Sequence, residues 1–173
     1  MNYCEIKNAD MANGLGMRVS LFVSGCTHHC KGCFNQEAWD FNYGKPFTEE
    51  TIKYILELID KPYIHGLTIL GGEPMHPSNQ IDVLKLIVEF RNKFEFEKDI
   101  WVYTGYTFEE LMTRVDNGDN TADNIVAQID VLVDGRFELE KKDISLQYRG
   151  SSNQRIIDMV ETCNQGKIVL LKL

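Results

Sequence analysis

Apolar residues along the chain shift their spacing repeatedly, from runs and alternations to every third or fourth position, and this predicts strands and helices in turn. Residues 18–23, Arg-Val-Ser-Leu-Phe-Val, are short, β-branched and aromatic, which predicts a strand. Thr48 opens a segment with Ile52, Ile55, Leu56 and Ile59 on one face, an amphipathic helix that Pro62 helps to end. Residues 67–70 read as a buried strand, and Ile81, Leu84, Ile87 and Val88 stripe a second helix. Residues 100–103 predict a third strand. Thr107 and Glu110 then have the spacing of a capping box, starting a helix that buries Leu111, Met112 and Val115. The polar stretch 116–121 reads as a surface loop and residues 129–133 as a fourth strand. A short helix from about Asn153 and a last strand at 167–171 complete the pattern.

Strand–helix alternation of this kind gives right-handed crossovers and a mainly parallel sheet. Each of the four strands is followed by a glycine-bearing motif: Ser24-Gly25-Cys26, Gly71-Gly72-Glu73-Pro74, Thr104-Gly105-Tyr106 and Asp134-Gly135-Arg136. Parallel α/β architectures gather their chemistry at the carboxyl ends of the strands, so these four loops locate the active site. A complete eight-unit barrel takes about 250 residues. The chain has 173. The expected fold is therefore α/β, a partial, open (βα) barrel with mainly parallel strands, in a single domain spanning 1–173.

Composition narrows the function classes. Apolar residues make up 43% and charged residues 25%, close to an average soluble protein, so global disorder is not expected. Eighteen basic against 26 acidic residues leave a net charge of −8, which disfavours nucleic acid or an anionic membrane as the main partner. No apolar run approaches the ~18 residues that cross a bilayer. The first seven residues lack the basic-then-apolar layout of a secretory signal, and a cytoplasmic protein is expected.

Three of the five cysteines crowd into Cys26-Thr27-His28-His29-Cys30-Lys31-Gly32-Cys33. Cysteines this close rarely reach disulfide geometry, and a reducing compartment would not keep such bonds, so the pattern points to a thiolate metal site. Structural zinc usually takes four protein ligands, and the usual cubane iron–sulfur site takes four cysteines. The local supply here is three, and an open metal position suggests chemistry rather than scaffolding. Zinc with His28 or His29 as a fourth ligand is the competing reading, although neither histidine belongs to a second ligand pair at zinc-finger spacing. Each histidine otherwise reads as a polar loop residue, and Cys4 and Cys163 as ordinary small residues.

The spacing C-x3-C-x2-C after one strand, with Gly-Gly-Glu-Pro after the next, resembles the signature of radical S-adenosylmethionine enzymes. Residues 13–18, 22–26, 29–30, 32–35, Trp39, 130–137 and 149–155 resemble more narrowly the activating components of anaerobic (class III) ribonucleoside-triphosphate reductases. The likeness runs from about residue 8 to 158. It departs at Leu15, where proline is expected, and at Gly32, where the wider superfamily usually has an aromatic residue.

The resemblance implies a [4Fe–4S] cluster with three irons held by Cys26, Cys30 and Cys33, and S-adenosylmethionine completing the fourth iron's shell. Reductive cleavage would give methionine and a 5′-deoxyadenosyl radical, which takes a hydrogen from a glycine α-carbon on the reductase, the protein substrate. An electron donor such as flavodoxin or ferredoxin would feed the cluster. Adenine would rest on the backbone of Gly32 and Cys33 and on Phe34. The loop Gly71, Gly72, Glu73 and Pro74 would meet the methionine ammonium group: two glycines allow close approach, and Pro74 holds Glu73 extended so that its carbonyl can face a cation. Thr104 sits where a hydroxyl would reach the cofactor.

Arg149 and Arg155 flank Ser151-Ser152-Asn153, which reads as a plain helix cap, a contact to the cofactor carboxylate or a docking surface. Asp134 and Arg136 read as functional from their placement. Trp101, Tyr103 and Tyr106 read as core, 138–143 as solvated surface, and 13–16 as a structural lead-in to the first strand. The alternatives are an activase of another glycyl-radical enzyme, an enzyme acting on a small metabolite, and a non-enzymatic zinc or iron–sulfur module.

Overall fold

A computed structural model describes residues 1–173. In chain order the elements are β1 (Asn2–Asp10), β2 (Arg18–Val23), β3 (Lys45–Pro46), α1 (Glu49–Ile59), β4 (Gly66–Gly71), α2 (Pro77–Phe94), β5 (Asp99–Tyr103), α3 (Phe108–Asp116), α4 (Asn120–Val126), β6 (Val131–Asp134), β7 (Arg155–Asp158) and α5 (Met159–Gln165). Short 3-10 turns lie at Gln36–Trp39 and Leu139–Lys141.

One seven-stranded sheet runs in the order β3-β1-β2-β4-β5-β6-β7. Its central strands β2, β4, β5 and β6 are parallel. β1 pairs antiparallel with β2 and β3, and β7 pairs antiparallel with β6. The sheet is open, with β3 and β7 at its edges.

Side chains alternate across a strand, and here the two faces carry different chemistry. Val19, Leu21, Leu67, Ile69, Ile100, Val102 and Leu132 pack with residues of α1, α2 and α4 into the main core. The opposite face holds a smaller cluster of Trp101, Val131, Val133 and Ile156. The fully buried Arg18 also lies there. Its guanidinium reaches the Thr68 hydroxyl (2.7 Å), the carbonyls of Leu67 (2.8 Å) and Leu15 (3.1 Å) and the Asp99 carboxylate (2.5 Å), over the Trp101 ring. The lead-in residues 13–16 close over this arginine. A Cβ on Gly14, at φ +135°, would come within 2.8 Å of Arg18 Cδ.

Strands β2, β4 and β5 and helices α1 and α3 stand where the hydrophobic pattern puts them, each helix with a threonine cap (Thr48 and Thr107) accepting from the backbone three residues on. Five expectations change. The second helix turns a different face inward: Ile81 is 59% exposed, while Asn79 and Gln80 are buried beside Val83, Leu86 and Phe90. Polar partners drive that rotation, because Asn79 donates to Ser24 O (2.9 Å) and Glu73 O (3.0 Å) and Gln80 to Asp119 (2.8 Å). The loop expected at 116–121 is shorter, since Asp119 caps α4 by accepting from Ala122. The fourth strand begins at Val131 rather than 129.

No helix starts near Asn153. Residues 155–158 pair with β6 instead, and the cap is Asp158, which accepts from Glu161 N (2.9 Å) to open α5. The expected strand at 167–171 reduces to one bridge between Leu170 and Ile157. β1 has no counterpart in the hydrophobic pattern, because every one of its residues is exposed or half-buried.

Candidate functional site

The loops that follow β2, β4, β5 and β6 surround a cavity of about 530 Å³ at the carboxyl ends of the parallel strands. The β2 and β4 loops are zipped together by backbone hydrogen bonds from Gly72 N to Val23 O (2.7 Å) and Glu73 N to Gly25 O (2.8 Å). That contact leaves no room for side chains: a Cβ on Gly72 would lie 2.6 Å from Gly25 O, and Gly71 sits at φ +109° with a would-be Cβ 2.7 Å from the Val23 backbone.

Cys26, Cys30 and Cys33 all line this cavity as free thiols. Burial pushes the Cys26 thiol up to about 11 and raises that of Cys30 as well, so a metal centre must displace protons from them as it binds. Cys4 turns to Val23 O and Ser24 Oγ, Cys163 is exposed on α5, and neither lines the cavity. No three His, Cys, Asp or Glu side chains converge closely enough to hold a single ion.

Gly32, Phe34, Gly71, Gly72, Glu73, Thr104 and Arg149 also line the cavity, whereas Pro74 is buried behind it. Phe34 is 83% exposed. Gly32, at φ +76°, has Leu139 Cδ1 2.9 Å from where a Cβ would be. The Glu73 carbonyl does not face a cation site. It accepts from His76 N (3.1 Å) and Asn79 Nδ2 (3.0 Å), at the start of α2. The Glu73 carboxylate is fully buried and accepts four hydrogen bonds, from Met75 N (2.9 Å), Thr104 Oγ1 (2.7 Å), Gly105 N (2.7 Å) and His28 Nε2 (2.8 Å). The Thr104 hydroxyl is therefore committed to Glu73.

Arg149 donates through Nη1 to Gln154 O (2.9 Å), and its buried Nε has no partner. Arg155 faces elsewhere. It spans the carboxylates of Glu109 (2.7 Å) and Asp134, and its guanidinium pulls the Glu109 carboxyl down to about 2. Asp134 also accepts from Phe108 N (2.7 Å) at the start of α3, and Arg136 reaches Glu110 (3.1 Å) and His28 Nδ1 (3.2 Å). Asp134 and Arg136 thus tie loops together. His28, read from the sequence as a loop residue, and Asn79 are site residues without a sequence signal, since only the fold brings them to Glu73.

A donor set of three thiols suits soft metals and iron–sulfur clusters, and the cavity is far larger than one ion needs. The model of a 4Fe-4S single cluster domain family matches residues 12–157, which places the chain among single-cluster iron–sulfur proteins. The relatives are more particular. The chain is 44% identical to the anaerobic ribonucleoside-triphosphate reductase-activating protein of Pasteurella multocida, over 90% of this chain and 96% of that one. It is 44% identical to the protein of that name from Escherichia coli K12 (89% and 96%) and 39% identical to that of Enterobacteria phage T4 (90% and 93%). The chain belongs to the family of anaerobic ribonucleoside-triphosphate reductase-activating proteins.

Proposed function

We propose that this protein installs a glycyl radical on an anaerobic ribonucleoside-triphosphate reductase, using a [4Fe–4S] cluster and S-adenosylmethionine held in the cavity. One observation carries the reading: three cysteines, the paired glycines Gly71 and Gly72 and an arginine with an unpartnered Nε all line one cavity at the carboxyl end of the sheet. In this reading the open sheet is a partial barrel, and the whole chain works as one domain.

Cys26, Cys30 and Cys33 would hold three irons, and with no fourth thiol in the wall the fourth iron would be left for a small-molecule ligand. When bound, the cluster supplies the electron that cleaves S-adenosylmethionine reductively, which leads to removal of a hydrogen atom from the reductase glycine. The rest of the work is done by the protein. Gly71 and Gly72 hold the β4 loop tight against the cysteine loop, so that the cofactor would lie beside both, and Gly32, Cys33 and Phe34 would form the adenine side. Arg149, whose Nε has no partner within the protein, would stand against the cofactor carboxylate. Glu73 and Thr104 serve from within the wall, by fixing the β4 and β5 loops to each other. Phe34 and Ile144, which is 94% exposed, flank the opening through which the reductase segment enters. A flavodoxin- or ferredoxin-type donor supplies the electron in a cytoplasmic setting. No helix is long and apolar enough to cross a membrane.

The test is anaerobic reconstitution with iron and sulfide, followed by dithionite, S-adenosylmethionine and the cognate reductase. The expected result is methionine, 5′-deoxyadenosine and a glycyl radical signal in electron paramagnetic resonance. Cleavage without that radical would move the target to another glycyl-radical enzyme. No cleavage by a cluster-loaded protein would end the proposal.

A further inference from the structure

The imidazole of His28 meets three other loops of the site. Its Nε2 is 2.8 Å from the Glu73 carboxylate, which comes from the β4 loop. Its Nδ1 lies 3.2 Å from Arg136 Nε, which comes from the β6 loop. The ring packs edge-on against Tyr106 of the β5 loop at 4.6 Å. Gly105 is required beneath it, because a Cβ there would fall 2.4 Å from His28 Cδ2. The side chain is only 6% exposed. Its two ring nitrogens have opposite roles: Arg136 Nε–H can only donate, so Nδ1 accepts, and Nε2 carries the hydrogen given to Glu73.

We propose that His28 is a positioning residue for the reaction: as the Nε2–H tautomer it fixes the cysteine loop against Glu73 and Arg136, and so sets the cluster ligands relative to the Gly71–Gly72 cofactor wall. His28 stands two residues from Cys26 and two from Cys30, so anchoring its ring anchors the segment between two of the thiols. Glu73 is the natural anchor. Its carboxylate accepts four hydrogen bonds from three loops, and of these only the one from His28 comes from the cysteine loop. The inference rests on the cofactor reading above.

Two substitutions separate positioning from simple packing. His28→Phe keeps an aromatic ring against Tyr106 and has no polar atom, whereas His28→Gln gives up the ring and keeps a donor and an acceptor at similar spacing. In reconstituted protein reduced by dithionite, His28→Phe is expected to raise KM for S-adenosylmethionine about ten- to a hundredfold, the scale of a lost charge-assisted hydrogen bond. The change in kcat should be smaller, and His28→Gln should recover most of the loss. A packing role gives the reverse order, with the phenylalanine variant near wild type and the glutamine variant impaired, and that result overturns the proposal.

A second measurement uses the wild-type chain without cluster, so it does not depend on folding of a variant or on the cofactor reading. The 15N shifts of the His28 ring should report hydrogen on Nε2 and a bare Nδ1. Hydrogen on Nδ1 would overturn the proposal even if the kinetics agreed. A wild-type protein that loads its cluster and cleaves no S-adenosylmethionine defeats the functional reading, while the ring measurement still decides the hydrogen-bond pair.

Discussion

Single residues carry most of the site's chemistry. Each of the three cavity cysteines is expected to be indispensable, because a cubane left with two protein ligands loses its anchor. Cys30→Ala should yield a reconstituted protein with little iron and sulfide and no S-adenosylmethionine cleavage. Cys163→Ser, on the exposed face of α5, should keep wild-type iron content. Iron and sulfide assays on both variants check the assignment, and a full cluster in Cys30→Ala would refute it. Gly72 admits a comparable test. Its Cβ would press on Gly25 O and on Ala38 O (2.9 Å), both backbone atoms of the cysteine loop, so Gly72→Ala must push that loop away. We expect S-adenosylmethionine to bind about tenfold more weakly in isothermal titration, with a loss of stability of about 1–3 kcal/mol. At this scale the sequence was readable wherever residue type alone dictates chemistry. Cysteine spacing and paired glycines mark loops that the fold does bring to one cavity. Glu73 was misread because proline fixes the residue before it only as extended, and its carbonyl direction is decided by Asn79, six residues further on.

Elements were legible where one face is apolar and the caps are polar. Thr48 and Thr107 both cap as their spacing implies. The pattern failed where burial is not apolar. Helix α2 inserts Asn79 and Gln80 into the interior because loop carbonyls and the Arg114–Asp119 pair need partners there, and no hydrophobic stripe records that need. β7 was hidden in the same way, since Arg155 at its start belongs to an ion-pair cluster. That cluster carries a pH signature. Arg155 lowers the Glu109 carboxyl from an ordinary 4.5 to about 2, so the folded form binds this proton later than the unfolded chain. The stabilisation is therefore complete above pH 4.5 and is lost as pH falls toward 2. Glu109 is 60% exposed, so solvent screening keeps the effect modest. Urea unfolding between pH 5 and pH 2 should show a shallower loss of stability for Glu109→Gln than for wild type. Parallel curves would show that the pair does not hold α3 to β7.

The molecule as a whole is built around an asymmetric sheet. Helices cover one face with aliphatic packing, and the other face carries Trp101, Arg18, Thr68 and, at the carboxyl end, the cavity. The overall α/β plan could be read from the sequence because strand–helix alternation is a local signal. The antiparallel strands could not, because β1 has no buried residue to mark it and β7 opens on an ion-paired arginine. Arg18 shows what the second face requires. Among the largest fully buried side chains, it alone is charged, and it serves carbonyls from the lead-in loop and β4 together with Asp99 at the start of β5. Burial pulls its guanidinium below the ordinary arginine range while Asp99 supports the charge. Replacing it by leucine would fill the space and leave Leu15 O and Leu67 O without this donor. Arg18→Leu should therefore cost about 3 kcal/mol, the low end for breaking a buried pair, because Asp99 retains part of its hydration. Equilibrium urea denaturation measures this directly. A variant as stable as wild type would mean that the polar face is held by the Trp101 cluster alone, with the arginine dispensable to the fold.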